Sequence, residues 1–388
     1  MIEEKRGTVE KERGFSMTIR ENVKAVLNYQ PFDHLPVVMF GYWPETLQKW
    51  IAEGHLAPED AAAIADGSPA DQAVQKKLGF DFNWQPPCGP ANSLFPAFEP
   101  RVVEDRPDGS QIVFTAEGVL EMVKPGIVSI PVEVGHTLTD RASWEKEYLP
   151  RLQFQMERIP VELFKNLAET SAERDIPLGL HCGSLMGNIR NWMGVEGLSY
   201  LYADDPDLYA EIVDTVGNLC YKVAEASLDI CPHFDYIHFW EDICFKNGPL
   251  VIPSVFEELV GPHYKRIAGL AASRGVTIAS LDCDGCIDRL VPIWLENGIN
   301  TMFPIEVGTW NASIAPWRKQ YGQVIRGVGG MNKNVFAYDY AAVDKEIERL
   351  RPLIELGGFI PCPDHRIPPD AKFEVVQYYC DKMQNLRF

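Results

Sequence analysis

The stretch "VTIASLDCDGCIDRLVPIWLENGINTMFPIE", residues 276–306, decides how the rest of the chain is read. It opens on an apolar run with no alternation, the mark of a strand buried on both faces. The run ends in Asp282-Cys283-Asp284-Gly285. A helical pattern follows, "IDRLVPIWLENG" at 287–298, and a second apolar run then ends in Glu306. Strand, helix and strand in that order imply two parallel strands joined by a crossover. Carboxylates and thiols stand where the strands stop. They are suited to binding a metal, moving protons or closing a turn.

The same order recurs along the chain. Apolar runs at 176–183, 234–243, 299–308, 323–331 and 357–365 are each followed by an amphipathic segment, clearest at 253–273 and 339–356. An earlier run, "LPVVMF" at 35–40, has the same character. With 276–285 these make about seven strand candidates, close to the eight of a closed barrel. The expected fold is α/β: a (β/α)8 TIM-type barrel over residues 17–388 as one domain, after a flexible arm at 1–16. Residues 85–135 break the pattern. "SQIVFTAEGVLEMV" at 110–123, after a Pro-rich lead-in and Asp108-Gly109, predicts a β-hairpin in an N-terminal elaboration laid at the barrel mouth. The glycines of "GVGGM" match no phosphate-binding pattern and read as close packing.

Charge narrows the partners. The chain has 388 residues and a formal net charge of -19, which disfavours nucleic acid and anionic membranes. No apolar run is long enough to cross a bilayer. The charged start, "MIEEKRGTVEKERGFSM", lacks the apolar core of a secretion signal. A cytoplasmic protein with reduced thiols is expected, so the nine cysteines are not a disulfide framework. Cys283 and Cys286 have CxxC spacing, but no second pair accompanies them, as a structural zinc site would require.

Several spaced segments resemble the uroporphyrinogen decarboxylase superfamily. "WEDICFKNGPLVIPSVFEELVGPHYKRI" at 240–267 is similar to its NGPLISP-type segment. "SLDCDGCIDRLVPIWLENGINTMFPIE" resembles its strand with a polar tip and the helix and strand beyond. "YGQVIRGVGGMNKNVFA", "GGFIPCPDHRIPPD" and the opening "ENVKAVLNYQPFDHLPV" fit as well. The resemblance implies a barrel and one of two chemistries. True decarboxylases hold a porphyrinogen with an N-terminal arginine motif; here that stretch reads "VVMFGYWPETLQKW", without arginine. The second branch comprises corrinoid-dependent methyltransferases of anaerobic one-carbon metabolism. Its coenzyme M members bind zinc through an HxC pair and a later Cys. In this chain Asp282 stands at that His, Asp284 at that Cys and His365 at the later Cys, so the thiolate-rich set is not reproduced. The resemblance therefore implies an aromatic O-demethylase. Such an enzyme moves the methyl group of a small methoxylated aromatic to cob(I)alamin carried by a separate corrinoid protein, with zinc possible and a homodimer possible. The alternatives are a metal-independent decarboxylase, for which Arg190 and Arg366 are the nearest basic residues, and a non-catalytic corrinoid-binding or chaperone-like barrel.

Barrel chemistry sits at the C-terminal ends of strands, which points to particular residues. Asp282 and Asp284 are two apart, so they share a face while Cys283 points away. They are candidate catalytic carboxylates, or the two sides of an Asx turn. Glu241, Asp242 and His181 are further catalytic candidates; helix-end charge and loop bonding are the structural alternatives. Asp282, Glu306 and His365 would make an N/O metal set. A one-residue register shift would present Cys283 and Cys362 instead. Tyr42, Trp43, Trp84, Trp240 and Asn188 are candidates for holding a flat apolar substrate, though aromatic residues in such runs also serve as core.

Overall fold

A computed structural model describes residues 17–85, 89–124 and 131–387. The arm expected at 1–16 lies outside the described residues, as do parts of the expected insertion. The strands, in chain order, are β1 Val38–Met39, β2 Phe82–Asn83, β3 Arg101–Asp105, β4 Gln111–Phe114, β5 Val119–Val123, β6 Val132–His136, β7 Gly179–His181, β8 Tyr236–Trp240, β9 Cys244–Phe245, β10 Gly248–Pro249, β11 Ile278–Asp282, β12 Thr301–Phe303, β13 Arg326–Met331 and β14 Phe359–Pro363.

β7, β8, β11, β12, β13 and β14 form one six-stranded parallel sheet in that order. β1 and β2 form a separate parallel pair. A parallel bridge from Tyr42 to Ile367 ties the β1 side to the β14 side. Among the described residues no ladder joins β2 to β7, so the hydrogen bonds trace a barrel-like course without closing it. Across that junction the Tyr236 hydroxyl donates to the Trp84 carbonyl at 2.7 Å. All the strand runs expected from the sequence contain one of these parallel strands. β2 has only two residues, too short to show a period.

Helices cover the outer face because the strands are apolar on both sides. On β8 the alternation sorts the two layers. Phe239 meets Tyr264 of the helix Gly261–Ser273, whereas His238 faces inward to Ser280, at 3.2 Å. Helix starts carry the expected signals: Pro44, Pro69, Pro206 and Pro253 lie in first turns, and Ser68, Asp205 and Asp339 cap with their side chains. The single helix anticipated over 253–273 is two, Pro253–Leu259 and Gly261–Ser273. Pro262, which has no backbone N–H to donate, stands at the start of the second. The glycines of β13 permit close approach: a Cβ at Gly329 would lie 1.5 Å from the Pro304 carbonyl oxygen.

β3, β4, β5 and β6 form a four-stranded antiparallel sheet in that order, larger than a hairpin. Asp108 shapes its first turn by accepting from Ser110, and Gly109 supplies φ +80°. No helix among the described residues is long and apolar enough to cross a membrane.

Candidate active site

At the C-terminal ends of β8 and β11 three carboxylates converge. One oxygen each of Asp242, Asp282 and Asp284 lies within 4.8 Å of the others. Asp282 is the last residue of β11, and its backbone is held between β8 and β12. Beyond it the chain turns at Gly285, where φ is +86° and a Cβ would strike the Cys244 carbonyl at 2.6 Å. That turn folds Asp284 back, so that its amide donates to Asp242 Oδ1 at 3.0 Å. Gln85 donates to Asp282 Oδ2 at 3.1 Å. His365 Nε2 lies 3.2 Å from Asp284 Oδ2, while Asp284 Oδ1 is buried without a hydrogen-bond partner.

Charges this close penalise one another. Burial, then repulsion from Asp284, pushes the Asp242 carboxyl up to about 7. Burial, then Asp242 and Asp284, raises Asp282 well above the usual carboxylate range. A divalent cation relieves such repulsion. Three carboxylate oxygens and an imidazole nitrogen suit an oxygen-preferring ion, or zinc in an N/O set.

The metal set expected from sequence, Asp282 with Glu306 and His365, is therefore altered. Among the described residues the converging trio takes Asp242 instead. Glu306 is occupied: it accepts from the Gly285 amide and from the Thr309 hydroxyl at 2.7 Å. Its carboxyl is raised by burial and by Asp284. The thiol alternative does not assemble. Cys283 and Cys362 are core residues, 2% and 0% exposed, and neither joins a described cluster of three ligand atoms. Cys283 Sγ turns to its neighbour's carbonyl.

Glu241 is also not at the site. Its buried carboxylate accepts from the amides of Leu185, Met186 and Gly187, each at 2.8 Å, from Ser184, and from Tyr264. Burial pushes it up and these donors oppose the shift, Tyr264 first. Its work is to fix the loop that follows β7. Asn188 belongs to that same loop-to-helix joint, its amide donating to Ser184 Oγ.

The aromatic candidates divide. Trp43 stacks on His365, with ring centroids 5.8 Å apart and planes 16° apart, and Phe40 packs on the same imidazole. Trp240 ends β8 and is only half-buried. Tyr42 and Trp84 are core residues, 0% exposed. Tyr42 packs on Trp50, and Trp84 stacks on Tyr236 inside the sheet. His181 lies beside His238, with ring centroids 6.3 Å apart. Burial pushes His181 down to about 4, and burial with repulsion from His181 pushes His238 down to about 3.

Two neighbours of the trio escaped the sequence reading. Gln85 carries no sequence signal, because its position follows from the short β2. Lys333 stands just past β13 and was reachable by the strand-end rule. Burial lowers it, while Asp364, Glu306 and Asp284 pull it back up. A surface cavity of about 420 Å³ bordered by His136, Met193 and Tyr200 contains none of the trio.

No protein-family model and no curated sequence matches the chain. Its mixed α/β fold, with a parallel sheet and many helices, is similar to that of a methyltransferase from Methanosarcina mazei. The TM-score is 0.61 at 15% identity, over 95% of this chain and 98% of that one. A B12-independent methionine synthase from Shewanella sp. W3-18-1 is more distant, with a TM-score of 0.47 at 12% identity over 90% and 97% of the two chains. At such identities the likeness is one of fold.

Proposed function

We propose that this chain is a methyltransferase that moves the methyl group of a methoxylated aromatic compound to the cob(I)alamin of a separate corrinoid protein. The observation that carries the reading is the convergence of Asp242, Asp282 and Asp284, with His365 against Asp284, at the strand ends. An aryl ether is inert until its oxygen becomes a better leaving group. The three aspartates, with His365 against Asp284, would hold a divalent cation, and that ion would supply Lewis acidity at such an oxygen. Trp43 and half-buried Trp240 offer flat apolar surface for the ring. In the overall reaction the cobalt electron pair forms the new bond to the methyl carbon. The carbon–oxygen pair stays on the oxygen, and a proton completes the phenol. The fold likeness to a methyltransferase supports this reading, as does the family resemblance of the motifs.

The test is anaerobic spectroscopy of cob(I)alamin with a methoxyarene panel, together with metal analysis of the purified protein. Methylated cobalamin should appear in step with phenol, at one divalent ion per chain. Phenol released at full rate without corrinoid would sink the proposal. A decarboxylase reading draws on Arg190, for which no ion pair is formed among the described residues. Carbon dioxide from aromatic acids, with no methylated corrinoid, would put that reading first.

A further inference from the structure

Among the described residues three cations, Arg366, Lys333 and Arg190, bear on the mouth, and they are not equivalent. Arg366 is held by Asp66 at 2.5 Å and lies over Phe40. Lys333 faces four carboxylates, Asp364, Glu306, Asp284 and Asp370. Arg190, in the first turn of the helix Gly187–Asp204, lies within electrostatic reach of Asp242 and Glu117. Among the described residues no hydrogen bond or ion pair holds its guanidinium, and its Nε is buried without a partner. Glu117 compensates it poorly. That carboxyl, reaching over from the antiparallel sheet, is raised by burial and bonded to Asn191 instead.

A guanidinium that no hydrogen bond or ion pair holds among the described residues, within electrostatic reach of Asp242, on a chain of net charge -19, is where a substrate anion can be held. The helix start offers no rival site. The amides of Leu185, Met186 and Gly187 are already taken by Glu241.

We infer that Arg190 is a specificity-determining residue that anchors a carboxylate on the substrate, so that the preferred methyl donors are methoxylated aromatic acids. This rests on the methyl-transfer reading above. On this inference the acid pairs with the guanidinium while the ether approaches the aspartates.

The experiment compares 4-methoxybenzoate with methoxybenzene in wild type, Arg190→Gln and Arg190→Lys. It measures Kd by calorimetry on the full chain, and KM and kcat with cob(I)alamin. Wild type should prefer the acid by about 10- to 100-fold in Kd and KM. Arg190→Gln should reduce that ratio to near one. Arg190→Lys, which keeps the charge and loses the fork, should fall between, and it guards against a misfolded Gln variant. Equal affinity of wild type for acid and neutral ether would overturn the anchor even if methyl transfer proceeds. Acid binding that depends on Arg190, with no methylated cobalamin from any ether, would overturn the methyl-transfer reading and leave the anchor standing.

Discussion

Asp242 lies in left-handed backbone at φ +47°, a conformation that Asp and Asn tolerate better than other residues with a Cβ. The turn there separates two adjacent acids. Glu241 reaches the Tyr264 helix, and Asp242 reaches Asp284. Sequence alone marked both as one polar strand end. Asn is the informative replacement, because it keeps shape and backbone tolerance. Asp282→Asn and Asp284→Asn should each lower methyl transfer by about 100-fold or more and lose bound metal in elemental analysis. In metal-free protein thermal stability should hold or rise, since one of three crowded carboxylates is gone. Cys283→Ser should keep metal and most activity while losing about 1 kcal/mol of stability in denaturant titration. If Cys283→Ser loses the metal and Asp282→Asn keeps it, the ligand assignment is wrong.

Strand-end carboxylates share a second task at the level of elements. Glu241, after β8, holds the amides that follow β7. Glu306, after β12, holds Gly285 after β11. Asp364, after β14, accepts from Lys333 after β13 at 3.1 Å and from Gly308 after β12 at 2.8 Å. Glu241→Ala should therefore cost about 3–5 kcal/mol, since several buried donors lose their acceptor at once, and hydrogen exchange should speed up at residues 185–187. Glu241→Gln should cost less, as it keeps an acceptor oxygen. Unchanged exchange in the Ala variant would mean that the loop is held elsewhere. This double use explains what could be read from the chain. Apolar runs located the parallel strands, and strand ends located Asp282, Asp284 and His365. Whether a given carboxylate clamps a neighbouring loop or faces the mouth depends on which amide comes within reach, and that is set by packing between segments far apart in the chain. β2 was missed because "DFNWQ" at 81–85, unlike the "LPVVMF" that holds the equally short β1, is no apolar run, and with it went the position of Gln85.

For the molecule as a whole, the buried imidazoles oppose folding as the solution turns acid. His238 is 1% exposed and is held down to about 3 in the fold, against 6.5 when free. Between those values the unfolded chain binds the proton and the native chain does not. This contribution is therefore intact above pH 6.5 and is lost as pH falls below it, by up to about 1.4 kcal/mol per pH step for one proton. His181 acts in the same direction but keeps some contact with solvent. The raised carboxyls of Asp242, Asp282 and Glu306 act the other way, so the measurement that isolates His238 is a difference. Stability of His238→Gln, followed from pH 7.5 to 5, should fall less steeply than that of wild type. Equal slopes would mean that the imidazole is protonated in the native state. The clamps between neighbouring loops carry a consequence for altering this protein. Transplanting one mouth loop from a relative would strand the carboxylate that its neighbour holds out to it, or remove the one it needs. New specificity is better sought by exchanging adjacent loops in pairs, with the rim inherited as a linked series and not as separable parts.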